Sequence, residues 1–137
     1  MMAADQRSRG HKVLLGTLAA YSAMLAVYSV VPAGTPGTGL IGILPGRDKA
    51  AHALASAGLA LLLCCALSAD RRSAAAAAGL AIILAWAYAL VLELVQAFLP
   101  WRTCSLSDLA ASLAGILFVV GGWAAVRRLV GGQWTQL

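Results

Sequence analysis

Charge is scarce in this chain: only 11% of its residues are Asp, Glu, Lys or Arg, and only five are acidic. Ordinary soluble domains carry about a quarter charged residues. With 61% hydrophobic residues and a mean hydropathy of +0.85, the polar residues are too few to cover a water-soluble fold. Cysteine is also sparse. Two of the three cysteines, Cys64 and Cys65, are adjacent, which argues against a disulfide framework. Basic residues are in excess, with a formal charge of +5, but they form no continuous stripe with interleaved aromatics of the kind nucleic acid would require. They flank long apolar runs instead, and their expected acidic partners are phospholipid head groups.

Those runs set the architecture. A membrane-crossing helix needs about 20 apolar residues, and four such segments nearly exhaust 137 residues. The first, Val13–Val31, lies between a basic flank and Pro32. A cleaved signal peptide is the competing reading of this run, but the apolar core of such peptides is only about 7–15 residues, so the segment is expected to be retained as a helix. The second helix is expected from about Asp48 to Leu67, with Ala53, Ser56, Ala57 and Gly58 supplying the small residues that let helix backbones approach in lipid. The third follows Arg72, opens on the alanine block Ala74–Ala78 and can run to Leu99 before Pro100. The fourth is expected over Leu106–Val126, with Ser105-x-x-Asp108 reading as a capping box. Between the first two helices lies a Pro/Gly-rich connection whose apolar centre, Leu40–Leu44, is expected to lie at the membrane interface. Trp101 and Trp123 mark opposite ends, as interfacial aromatics do.

The predicted fold class is therefore all-α, an integral membrane bundle of four transmembrane helices. Residues 1–12 form a basic N-terminal segment, 13–130 the membrane domain and 131–137 a tail. Seven of the ten basic residues (Arg7, Arg9, Lys12, Arg71, Arg72, Arg127 and Arg128) fall in alternate flanks, against Arg47, Lys49 and Arg102 in the others. The positive-inside rule then puts both termini in the cytoplasm and the other two connections outside. In that topology Cys64 and Cys65 lie toward the cytoplasmic half and Cys104 lies outside, so they cannot pair within one chain. Cys104 has no neighbouring His or Lys in sequence to make it a nucleophile.

Asp5 and Asp70 are flank residues, whereas the other three acids fall in or beside apolar runs. Asp48 opens the second helix, Glu93 interrupts the outer third of the third, and Asp108 stands in the first turn of the fourth. Asp48 and His52, Glu93 and Gln96, and Asp108 and Ser112 are three or four residues apart, so each pair shares a helical face. Lys49 and Arg102 supply opposing charge at the same expected membrane face. A carboxylate inside a span costs about 2.5–3.5 kcal/mol on insertion scales, so Glu93 is expected to have a partner, Arg102 or His52. The candidate site is thus Asp48, Lys49, His52, Glu93, Gln96, Arg102 and Asp108, converging on one outer location. Independent interfacial anchors would give the same charge pattern. Asp48, His52, Glu93 and Asp108 are competent metal ligands, but no diagnostic metal spacing is present, and no metal or other cofactor is expected.

At these residues the chain resembles the VanZ-like family of small bacterial membrane proteins. The matching pieces are DKAAH (48–52), ELVQAFLPWR (93–102) and SLSD (105–108), within roughly residues 45–118. Each piece is short, and the specificity lies in their order and spacing. The chain departs from the pattern at Ser112, where the family commonly has Asn, and at Val119, where Gly is common; Gly115 fits it. The resemblance implies a four-helix, multi-pass protein of the bacterial plasma membrane, in a family whose name-giving member is associated with teicoplanin resistance. It implies no reaction.

Three function classes follow from these observations. The first is an envelope protein that binds membrane lipid or a lipid-linked cell-wall precursor, or alters glycopeptide access to it. The second is a membrane enzyme acting on a lipid-linked or phospholipid substrate, with His52 or Glu93 as acid or base and Lys49 or Arg102 holding an anionic group. No nucleophile constellation supports it, and no catalytic residue is assigned. The third is a proton-coupled transporter, which would need a relay to the cytoplasmic side that one chain with its charges at one end does not offer. The envelope-protein reading is preferred, and the sequence assigns no oligomeric state.

Overall fold

A computed structural model describes residues 2–32, 47–69 and 73–133. The described residues are all-α, with four helices: α1 (Met2–Val30), α2 (Arg47–Ala69), α3 (Ala74–Gln96) and α4 (Leu106–Gln133). Each contains a segment of 22 to 25 residues long and apolar enough to cross a membrane. The expected interfacial segment Leu40–Leu44, and Asp70, Arg71 and Arg72, lie outside the described residues.

Helix ends follow local chemistry. α1 and α4 run further than their apolar cores, back to Met2 and on to Gln133, because no proline interrupts the flanking sequence. α3 stops at Gln96, short of Leu99. There the chain tightens into three-residue turns, with the amides of Phe98 and Leu99 donating to the carbonyls of Val95 and Gln96. Pro100 disfavours helical backbone at the residue before it. The start of α3 is capped by Ser73, whose extended backbone lets its Oγ accept from the Ala76 amide at 3.2 Å.

α2 is the hub. Among the described residues it packs against each of the other three helices, while α1 touches α2 and α3 but not α4. α2 and α4 both begin at the same end of the bundle, and their backbones are very close. A Cβ built at Gly115 would stand 2.1 Å from the carbonyl oxygen of Ala53. Below this crossing the core is built from Leu59, Ala60, Cys64, Ala81, Ala85, Ile116 and Val120. Large side chains such as Leu54, Phe98, Phe118 and Leu129 are more than two-thirds exposed; on a membrane-spanning bundle they form the lipid-facing surface. At the opposite end, the Arg127 guanidinium stacks 5.5 Å from the centre of the Trp123 ring.

α1 is attached by polar ties. Tyr21 donates its hydroxyl to the Ala55 carbonyl at 3.1 Å, lying over Gly58, where a Cβ would be 2.6 Å from the phenolic oxygen. Tyr88 donates to the Ser22 carbonyl, and Gln96 donates to the Ser29 carbonyl at 3.2 Å. At the C-terminal end of α1, Trp101 donates to the Val30 carbonyl at 3.1 Å. Arg102 donates to the carbonyls of Tyr28 at 3.2 Å and Val31 at 2.9 Å. These carbonyls have no next turn of helix to supply donors, and a basic side chain there also complements the helix dipole.

Candidate functional site

The starts of α2 and α4, the end of α3 and the end of α1 meet at one end of the bundle, and the seven candidate polar residues all lie there. Lys49 reaches across from α2 to Asp108 on α4, with Nζ 3.5 Å from Oδ1. His52 Nε2 lies 3.7 Å from Asp48 Oδ1, one turn away on α2. Glu93, Gln96 and Asp108 are buried, at 4%, 6% and 6% exposure.

The partner expected for Glu93, Arg102 or His52, is not the one it has. Glu93 pairs with neither Arg102 nor His52; its carboxylate accepts a hydrogen bond from the backbone amide of Ser105. Arg102 is instead drawn to the carbonyls at the end of α1, and His52 faces Asp48. The capping box at α4 is also replaced. In such a box the acidic residue at the third helical position would reach back to the Ser105 amide, but Glu93 of α3 occupies that amide. Asp108 is thereby left to face Lys49, and Ser105 Oγ bonds with Ser107 Oγ at 2.7 Å. Glu93 thus joins the end of α3 to the start of α4, which accounts for a buried carboxylate near a helix terminus without an ion pair to Arg102 or His52.

A cavity of about 450 Å³ opens beside this network, between α1, α2 and α3, with Ser112 contributed by α4. Asp48, His52, Glu93, Gln96 and Arg102 line it, and Lys49 and Asp108 do not. Its body is apolar, lined by Leu25, Leu59, Ala85, Ala89 and Leu92. Met24 of α1 and Leu54 of α2 also line it yet are 55% and 73% exposed, so its rim meets the exterior along the flank between α1 and α2.

Sequence reasoning missed several lining residues. Tyr21, Tyr28 and Ser29 come from α1, which reads in the sequence only as a spanning helix. The signal was present: Tyr21 and Tyr28, and likewise Ser22 and Ser29, are seven residues apart and share a helical face. Ser56 continues the Asp48–His52 spacing by another four residues, a polar track descending about 12 Å along α2. Ser56 and Ser112 are 7% and 2% exposed and line the cavity, and neither hydroxyl has a hydrogen-bond partner among the described residues. The three cysteines are free: Cys64 is buried, Cys65 and Cys104 exposed.

No protein-family model, curated protein or solved structure matches the chain.

Proposed function

We propose that this chain is a VanZ-like envelope protein of the plasma membrane that binds an amphiphile, a membrane lipid or lipid-linked cell-wall precursor, in the cavity at its polar end. In this reading both termini are cytoplasmic and the cavity faces outward, where such a protein can alter glycopeptide susceptibility. The observation that carries the proposal is the division within the cavity: a largely apolar body, with the carboxylate, imidazole and guanidinium groups gathered at the polar end of the bundle. Ligand sites commonly combine an apolar lining with a few polar groups that set orientation, in volumes of about 300–1,000 Å³. The exposed rim between α1 and α2 suits entry of an apolar chain directly from the bilayer, without passage through water.

Mass spectrometry of lipids extracted with the purified protein tests this reading. Wild type should retain a defined lipid above the bulk membrane composition, and Ala89→Phe, which places a ring in the cavity, should lose it. Identical bulk lipid in both would remove the basis for the proposal. Turnover of the retained lipid by the wild type would instead establish the enzyme alternative.

A further inference from the structure

From the geometry at the head of α2 and α4 we infer that Asp48, His52 and Asp108 form a binding site for a divalent transition-metal cation of the zinc class. This goes beyond amphiphile binding and stands or falls separately from it. One donor atom from each residue lies within 4.8 Å of the other two. Donors on a shared zinc sit about 2.0–2.2 Å from the ion, so the set needs only a small closure, and the Asp48 side chain, 69% exposed, is free to contribute to it. Two carboxylate oxygens and one imidazole nitrogen suit zinc, which accepts both ligand types. Three protein ligands leave a position for water or an anionic group.

Three further features separate this site from an ordinary ion-pair cluster. Ser112, one turn beyond Asp108 on α4, is 2% exposed. Its hydroxyl lines the same cavity as Asp48 and His52 and has no hydrogen-bond partner among the described residues. It is placed to donate to a ligating carboxylate or accept from a metal-bound water. The present cation on Asp108 is a loose one. Lys49 Nζ is 3.5 Å away on a side chain 55% exposed, against about 2.7–2.9 Å for a strong charge-assisted bond, so a divalent ion can displace it. Finally, the Gly115–Ala53 crossing fixes the two helices that carry the ligands. Glu93 is not in the set; its carboxylate accepts from the Ser105 amide.

The test uses the full chain in lipid nanodiscs, without a polyhistidine tag, equilibrated with zinc chloride and dialysed before elemental analysis. Wild type should keep one zinc per chain. Asp48→Asn, at a position whose side chain is 69% exposed and does not support the core, and His52→Ala should each lose it, with affinity reduced by more than about tenfold. Glu93→Gln and Lys49→Met should retain it. Only traces of zinc in wild type, wild-type content in Asp48→Asn and His52→Ala, or equal loss in all four variants with the helical circular dichroism of wild type retained, would each overturn the inference. The second outcome would point to His11 or the cysteines, and the third to zinc held by the general charge of this end of the bundle.

Discussion

Gly115→Ala isolates the contact that brings the heads of α2 and α4 together. The added methyl would lie 2.1 Å from the Ala53 carbonyl oxygen, 2.7 Å from its carbon and 2.9 Å from its Cα. All three atoms are backbone, so no side chain can rotate away and the helices themselves must separate. Overpacking of this kind typically costs about 1–3 kcal/mol, and the intrinsic gain of alanine over glycine in a helix returns at most about 1 kcal/mol. The expected net loss is about 1–2 kcal/mol, roughly a tenfold fall in the folding equilibrium constant. Two other glycines calibrate the measurement. A methyl at Gly58 meets only the Tyr21 side chain, and one at Gly79 meets nothing within 4 Å. Reversible unfolding in mixed micelles, followed by helical circular dichroism, should rank Gly115→Ala least stable, Gly58→Ala next, and Gly79→Ala at or above wild type. A Gly115→Ala protein as stable as Gly79→Ala would refute the close crossing.

Glu93→Gln should retain near-wild-type stability in the same assay, because its amide oxygen can still accept from the Ser105 amide. Glu93→Leu should lose about 1–3 kcal/mol by leaving that donor unpaired; equal stability of the two would show that the bond contributes nothing. Charge reversals at Glu93 and Arg102 should be additive, since the two groups do not meet; recovery in the double variant would restore the direct pair that the structure replaces. Cys104 is exposed in the turn between α3 and α4, while Cys65 is exposed on a membrane-spanning segment. In intact cells a membrane-impermeant maleimide should therefore modify Cys104 alone. Labelling only after permeabilisation would reverse the proposed topology.

The helices and the polar end were legible in the sequence for different reasons. Four apolar runs of spanning length leave little freedom in the number of helices, and the spacings at 48/52, 93/96 and 108/112 show which faces are polar. Pairings across helices were less accessible, because Glu93, Arg102 and Asp108 each had more than one chemically reasonable partner. The outcome depended on backbone groups that periodicity does not display: the Ser105 amide took Glu93, and the carbonyls of Tyr28 and Val31 took Arg102. The cavity was hidden for a related reason. Its α1 wall is made by Tyr21, Tyr28 and Ser29, residues that look unexceptional until the adjoining faces of α2 and α3 are in place.

The proposed function requires an amphiphile's apolar chain to occupy the space between α1, α2 and α3. The most direct measurement is photocrosslinking in native membranes with a lipid carrying a diazirine in its acyl chain, followed by peptide mapping. Labelling should be enriched at Leu25, Leu59 and Leu92, which line the cavity, and lose that enrichment in Ala89→Phe. Labelling confined to outward residues such as Phe118 and Leu129, 84% and 72% exposed, and unchanged by Ala89→Phe, would contradict it.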